Sequence, residues 1–509
     1  MKKTGLLLAF ILIFTLMSIS ALGASFDKSR TYENNFSDVA ETSWYAKSVA
    51  SVYETALMEG VSENTFDTES EMNVAQAITI AARLHSIYNE TEIPDVAEGR
   101  WFQKYVDYAL KNGIMVENQF DSYSRAVFSF EMVQLFAKAL PEEFYPAINS
   151  IERVHDVPKN LVFEKDILMF YNAGILNGND ENGTFLPMSA ITRKRAAVII
   201  SRVALSENRI EVSIKDIPEL LTTDEFSELL HRHTKKDALD SVYLASFGDT
   251  KISAAIYRYF SFIYKNNEES IEKELKQYAA LSKLVKEAGI TITRETYESC
   301  LISYYVNRAS TSGNMTYFDA LEAQKLTDAS LVDLSNMSLY SQIIPETFCE
   351  KITNEEAYDY VLNNDYVYAK HILINKETED AYRIALELRL AINDGADFDE
   401  LLEKHGEDPG MKARDGGYFF TYGTMVEPFE KAAFALEEGG VSNIIETDYG
   451  YHIIKRLPFT PEELYASPDF KTIISHAGSE KFYETLNKEA ELVKFEYTEN
   501  FEALAELLK

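Results

Sequence analysis

The chain has 509 residues, 46% of them hydrophobic and 12% aromatic, and carries a formal charge of −33. That length exceeds one hydrophobic core and predicts roughly three or four domains, while the lack of low-complexity tracts argues against long disorder. So acidic a chain repels nucleic acid and anionic membrane, which excludes both as general partners and leaves the charge as a solubility feature.

Lys2 and Lys3 open the chain ahead of an apolar run from Leu6 to Met17 and the small-residue stretch SISALGAS. The pattern predicts a signal peptide over residues 1–23, cleaved near Gly23 or Ala24, because the run is short for a membrane span and small residues follow it. No cysteine lies in this region, so a lipid anchor is not expected. No later stretch reaches membrane-spanning length, and the expected mature protein is soluble and exported.

Residues 31 to 205 contain a repeat of about 55 to 60 residues. The first unit, 31–87, contains FSDVAETSWYAKSVASVYETALMEGVSENTF. The second, 90–142, contains IPDVAEGRWFQKYVDYALKNGIMVENQF. The third, 150–205, has weaker opening letters but a clear centre and end in YNAGILNGNDENGTFLPMSAITRKRAAVIISRVAL. Each offers an aspartate-led entry, a helix, a glycine-containing turn, a loop ending in Phe and a second helix, which predicts stacked helical units sharing a core.

These units resemble S-layer homology domains. The resemblance implies modules that dock onto anionic cell-wall polymer, with a Thr-Arg-Ala-Glu tetrad opening the second helix and helping to form the groove. The third repeat keeps Thr192 and Arg193 and continues with Lys194 and Arg195, whereas the first reads Asn73-Val74-Ala75-Gln76 and the second Phe128-Ser129-Phe130-Glu131. An anionic glycan needs cations and planar donors, so Thr192, Arg193 and Arg195 become the polymer-binding candidates. Trp44, Tyr45, Trp101 and Phe102 read as core aromatics rather than sugar platforms. A purely structural stalk is the competing reading of the repeats.

Residues 206–222 read as a connector, and 223–363 as a helical body with few glycines and prolines. In SIEKELKQYAALSKLVKEAG, Ile271, Leu275, Tyr278, Ala279 and Leu281 fall near one helical face. Gly289 should stop that helix, and Thr293 with Glu295 should start another. His231 and His233 diverge at i and i+2, and no further Cys or His completes a ligand set, so no metal is expected. Cys300 and Cys349 could form one disulfide or remain two free thiols. The tail 458–509 is helical again and is expected to pack back on the body.

The block 364–457 opens with VYAKHILI, closes with TDYGYHIIKR and carries GGYFFTYGTMVEPFEKAAFAL between them. Its ends read as alternating strands, each presenting one histidine, His371 and His452. Helix signals come from Ala381, Ile384, Ala385, Leu388 and Ile392, from Asp397 with Glu400 before DELLEKH, and from Pro428 at a helix start. Asp448-Tyr449-Gly450 predicts a tight turn into the last strand.

The block resembles parvulin-type peptidyl-prolyl isomerases, and the composite layout resembles exported foldases with a parvulin domain set in a helical body. The fold expected is multidomain: an all-α repeat region, a mainly helical chaperone-like body, and an α+β domain with a four-stranded antiparallel sheet. The resemblance implies a proline pocket of Met425, Phe429 and Phe434 with Phe420 at its edge. It implies a central imidazole pair, His371 and His452, bonded to each other or through a hydroxyl that Thr447 could supply. Asp408 would face the substrate carbonyl, in an electrostatic or an orienting role.

Bond rotation needs no nucleophile, metal or cofactor. The expected partners are unfolded or extended proline-containing polypeptides and, through the repeats, a wall polymer; the sequence gives no oligomeric state. The family often reads Gly-Gly-Asp-Leu-Gly where this chain has Gly416-Gly417-Tyr418-Phe419-Phe420, which puts added bulk beside the pocket. The loop Asn375-Lys376-Glu377-Thr378 lacks the basic cluster that a phosphorylated substrate would want. The expected function is a wall-associated foldase; a non-catalytic peptide-binding chaperone or a structural surface-layer protein is the alternative.

Overall fold

The computed structural model describes residues 26–96, 98–310, 315–414 and 416–508; the expected signal peptide lies outside them. The chain divides into two compact units, one of residues up to 234 with 291–320, the other of residues 235–290 with those from 321 onward. The stretch 223–363 is therefore shared between the units.

The first unit is built from three helix pairs: α1 (Ala46–Glu54) with α2 (Val74–Tyr88), α3 (Gln103–Lys111) with α4 (Ser129–Ala139), and α5 (Glu164–Asn172) with α6 (Arg193–Ala204). An aspartate organises the first and third pairs. Asp38 accepts the backbone N–H groups of Phe66, Asp67 and Thr68 at 2.8, 2.7 and 3.2 Å. Asp156, wholly buried, accepts those of Phe185 and Leu186 at 2.9 and 2.7 Å. The third repeat thus keeps its entry aspartate although the surrounding letters have drifted. In the second repeat Asp95 lies exposed against Lys104 instead.

The pairs do not form an open stack. α1 packs on α6, α3 on α2, and α5 on α4, so each repeat lends its first helix to another repeat's second. The short segments before α2, α4 and α6 close the arrangement: Met72 N–H donates to Ile191 O, Val127 N–H to Met72 O, and Ser129 N–H to Ser189 O. A single apolar core runs through all three pairs, from Phe26 to Ala204.

Two aromatics depart from the sequence reading. Phe102 is buried and Tyr45 packs on the core, but Trp44 and Trp101 are 66% and 60% exposed and are not core residues. Each tryptophan stands one position ahead of the residue that caps α1 or α3, and meets that neighbour edge-on at 5.4 and 5.5 Å. Only one of two adjacent side chains at such a turn reaches the core. The third repeat repeats the pattern with Val162 outside and Phe163 buried.

Residues 210–215 are pinned along the third repeat by Ile210 N–H to Gly174 O and Lys215 N–H to Glu181 O. The short strands Leu220–Thr222 and Thr291–Thr293 pair antiparallel, and the helices Thr223–His231 and Arg294–Ala309 follow them. Thr293 caps the latter helix as expected. His231 Nδ1 lies 2.8 Å from Ser227 O, and buried His233 lies 3.2 Å from the Tyr305 hydroxyl.

In the second unit, α7 (Glu268–Ala288), α8 (Asp328–Cys349) and α9 (Asn354–Asn363) precede a mixed block of β1 (Tyr366–Asn375), α10 (Ala381–Asn393), α11 (Phe398–His405), α12 (Pro409–Lys412), β2 (Tyr418–Thr421), α13 (Glu427–Phe434), β3 (Ile445–Glu446) and β4 (Gly450–Arg456). The long helix α14 (Phe470–Leu492) then packs along α7, α8 and α9. Gly289, at φ +60°, ends α7. Gly478 lets α14 approach α8 closely, since a Cβ there would stand 2.7 Å from the backbone of Cys349. Cys300 and Cys349 are free and half-buried.

The sheet is antiparallel in the order β2-β1-β4-β3. One face, with Val367, Ala369, Phe420 and Ile454, is covered by α13 through Phe429 and Ala433. The other face packs Ile372, Ile374 and Ile453 on α10 and α11, and Tyr368 with Phe419 on Leu464 and Ile473.

Removing the entry carboxylates leaves buried N–H groups without acceptors. Asp38→Ala and Asp156→Ala should each destabilise the first unit by roughly 2–4 kcal/mol. Thermal unfolding checks this, with Asp95→Ala expected to leave the midpoint unchanged.

Candidate active site

The register of β1 against β4 builds the centre of the site. His371 pairs with Ile454 and Leu373 with His452, so both imidazoles leave the same face of the sheet on a diagonal. Their Nδ1 atoms lie 3.0 Å apart, and both rings are buried. His371 Nε2 reaches Asp408 Oδ2 at 2.9 Å, and His452 Nε2 reaches Thr447 Oγ1 at 2.8 Å. The four expected polar residues therefore form one chain of hydrogen bonds.

The partners fix the protons along this chain. Asp408 is held well below the usual carboxylate range by the hydrogen bond from His371, against its partial burial and with help from the Tyr418 hydroxyl. An ionised Asp408 accepts from His371 Nε2–H, which leaves His371 Nδ1 to accept from His452 Nδ1–H. His452 Nε2 then accepts from the Thr447 hydroxyl. Burial holds the His452 imidazole down at about 4, and the neighbouring His371 adds to it.

Asp408 is also fastened from its own loop. It caps α12 and accepts Gly410 N–H and Met411 N–H at 3.0 and 3.1 Å. With Tyr418 Oη donating at 2.9 Å, the carboxylate has four donors.

The apolar floor lies against the imidazoles. Phe429 meets His371 and His452 edge-on, with centroids at 5.1 and 5.3 Å. Phe420 is fully buried beneath Phe429, while Met425 and Phe434 are half-buried at the rim. The added bulk around the pocket strand resolves by alternation. Phe419 points to the opposite face and stacks on Tyr368 at 4.2 Å, so it does not fill the pocket. Tyr418 and Phe420 share the site face.

Sequence reasoning saw Tyr418 only as a departure and missed its bond to Asp408; the two-residue strand period could have placed it beside Phe420. Tyr422 was missed as well. It is 57% exposed and lies flat on Phe434, with centroids 3.9 Å apart and planes at 12°.

The three polymer-binding candidates are not brought together. Arg193 is 6% exposed, and its guanidinium donates to Phe66 O and Glu59 O at 2.8 and 2.7 Å. The Thr192 hydroxyl is buried without a hydrogen-bond partner. Arg195 alone lines an open cavity of about 220 Å³, together with Trp44, Arg202, Asn177 and Asn179. Arg202 falls two turns beyond Arg195 on α6, a spacing visible in the sequence.

Residues 369–457 match the family model of the rotamase, PPIC-type PPIASE domain, and residues 35–78 match that of the S-layer homology domain. The C-terminal block is a PPIC-type rotamase domain. Over 107 residues the chain is 39% identical to the foldase protein PrsA of Geobacillus sp. (strain WCH70), covering 21% of this chain and 37% of that protein. Over 265 residues it is 28% identical to the foldase protein PrsA of Geobacillus kaustophilus (strain HTA426), covering 51% of this chain and 76% of that protein. The chain spans about a third of the length of several curated relatives it matches, 37% and 34% for two of them. Among solved structures, NmPin, the parvulin of Nitrosopumilus maritimus, is 38% identical over 19% of this chain and 98% of its own, with a TM-score of 0.16.

Among the described residues no helix is long and apolar enough to cross a membrane, and no group of three or more His, Cys, Asp or Glu is placed to hold a metal.

The depressed His452 sets a pH dependence for the rotamase domain. Between about pH 4 and the ordinary histidine value of 6.5, the unfolded chain binds this proton and the folded chain refuses it. Stability therefore falls as the pH drops through that window, by on the order of 3 kcal/mol from this group. Asp408 acts in the same direction only in stronger acid, as pH falls from the ordinary carboxylate range toward its depressed value. Thermal unfolding across pH 4 to 6.5 should show the slope in the wild type and lose most of it in His452→Gln.

Proposed function

We propose that the chain is an exported, wall-associated foldase whose rotamase domain accelerates cis–trans isomerisation of X–Pro bonds in unfolded or extended polypeptides. The observation that carries this reading is the hydrogen-bonded imidazole pair lying directly against the apolar ring of Phe429.

The reaction is rotation about an amide bond whose barrier is about 18–20 kcal/mol. In the twisted transition state the amide loses resonance and its charge separation falls. A water-poor, apolar seat therefore favours the twisted state over the planar one, and each ~1.4 kcal/mol of that preference is a tenfold gain in rate. Met425, Phe429 and Phe434 form the seat for the proline ring, with Phe420 supporting it from below. His371, His452, Thr447 and Asp408 hold one another in a fixed array beside it. Since His452 is neutral at ordinary pH and Asp408 is saturated with donors, these groups orient the site and transfer no proton.

The S-layer homology match and the Trp44–Arg195 cavity support attachment to the cell surface. Two guanidinium groups, Arg195 and Arg202, beside the exposed indole of Trp44 suit an anionic glycan, whose carboxylates take planar forks and whose sugar faces stack on indole. All three helix pairs are read as units of the S-layer homology type, and the binding groove lies between the first and third. The corresponding outward position of the third pair is Val162, which offers no sugar platform.

Exchange NMR on short X–Pro peptides tests the isomerase. The full chain should accelerate exchange, and Phe429→Ala should cut the acceleration at least about tenfold. No acceleration by the folded wild type would leave a peptide-binding chaperone. Co-sedimentation with purified wall polymer tests attachment. Trp44→Ala and Arg195→Ala should each weaken it about tenfold or more, whereas Trp101→Ala should not.

A further inference from the structure

A second ring of contacts surrounds the imidazole pair and leads out of the rotamase domain. Tyr418 donates its hydroxyl to Asp408, and Arg414 lies over the Tyr418 ring with its guanidinium carbon 4.0 Å from the centroid. The same guanidinium grips Asp469 at both oxygens, at 2.6 and 3.1 Å, and this ion pair is largely buried. Asp469 also accepts the backbone N–H of Phe419, the residue after Tyr418, at 2.9 Å. It stands immediately before α14, the helix that runs along the helical body. Glycine at 410 is required by the same arrangement, because a Cβ there would meet the Tyr418 hydroxyl at 2.2 Å.

We propose that Tyr418 is a positioning residue of the isomerase site, and that the Arg414–Asp469 ion pair at the root of α14 holds it in place. The claim rests on the isomerase reading. Tyr418 packs on the apolar cluster that contains Phe420 and Phe429, with its ring 6.0 Å from that of His371; its hydroxyl acts through Asp408, which orients His371, which in turn orients His452. A phenol free to swing would leave Asp408 with one donor fewer and His371 with a looser anchor. The planar guanidinium on its face and the carboxylate bonded to the adjoining backbone remove that freedom. The root of α14 therefore supplies part of the active site's rigidity without contributing a group to it.

The charged and titratable groups around Asp408 are His371 from β1, His452 from β4, Tyr418 from β2, Arg414 from the loop before it and Asp469 from the root of α14. Tyr418→Phe removes only the hydroxyl. In the full chain, exchange NMR on a short Ala-Pro peptide should show kcat reduced about tenfold at little-changed KM, with the acid limb of the pH profile moved to higher pH. Asp469→Asn should give a smaller change in the same direction. The double variant should be no worse than Tyr418→Phe alone, since the two residues act through one hydroxyl.

An unchanged kcat and acid limb in Tyr418→Phe would overturn the positioning role. Fully additive losses would overturn the link from Asp469 through Tyr418. The histidine ring nitrogens, followed by NMR during acid titration, give a readout independent of turnover. If the wild type fails to isomerise, the functional reading falls. Even then, Tyr418→Phe should move the acid titration of Asp408 to higher pH, and an unmoved titration would overturn the positioning claim by itself.

Discussion

The antiparallel register between β1 and β4 is the constraint on which the site depends. It sets His371 and His452 on a diagonal of one face, near enough for their Nδ1 atoms to share a proton. A slip of one residue would turn one imidazole to the other face, among Ile372, Ile374 and Ile453, and leave two buried polar rings unpaired. The pair therefore reports on the correct sheet as much as it serves the site. Gly450 helps to hold the register: at φ +148° it passes within 2.2 Å, measured from where a Cβ would be, of Ile374 O. Any larger residue at that turn would press on the strand that carries His371.

Much of the rotamase site was legible in the sequence. Met425, Phe429, Phe434 and the two histidines came from the resemblance of the block to parvulin-type isomerases, since spacing alone fits a plain core equally well. Thr447 was offered as a hydroxyl source beside the imidazole pair, and its hydroxyl lies 2.8 Å from His452 Nε2. Harder to read were contacts made by residues distant in sequence. Arg414 and Asp469 are fifty-five positions apart, and no periodicity relates a loop to the start of a helix in the tail. The role of Asp408 was open in the sequence; in the structure its carboxylate accepts from four donors, three of them outside β1.

The exposure of the candidate residues in the repeats was hidden from the sequence for a related reason. Motif letters point to Arg193, but burial decides what a guanidinium can do. Arg193 spends its donors on carbonyls of the first repeat, while Arg195, two positions on, turns outward. Trp44 and Tyr45 likewise look equivalent as letters and divide between solvent and core. Helical phase separates Arg193 from Arg195, and the turn into α1 separates Trp44 from Tyr45; both are set by the packing of α1 on α6, more than a hundred residues apart. The overall acidity of −33 adds a further condition, because an anionic glycan can be held only where local cations outweigh the surrounding field.

The three extended segments before α2, α4 and α6 bond to one another in a closed triangle. An open array can grow or shrink by whole units, because each end needs only a cap. A closed ring cannot. Deleting one helix pair here would strand a donated helix and expose two bonding edges, and inserting a fourth would find no free edge to join. The number three is thus a property of closure, and gene duplication within this part of the chain would have to proceed by copying the whole ring. Variation under such closure falls on what lines the grooves, as the difference between Trp44 and Val162 at corresponding positions of two pairs in this chain illustrates, and not on how many grooves there are.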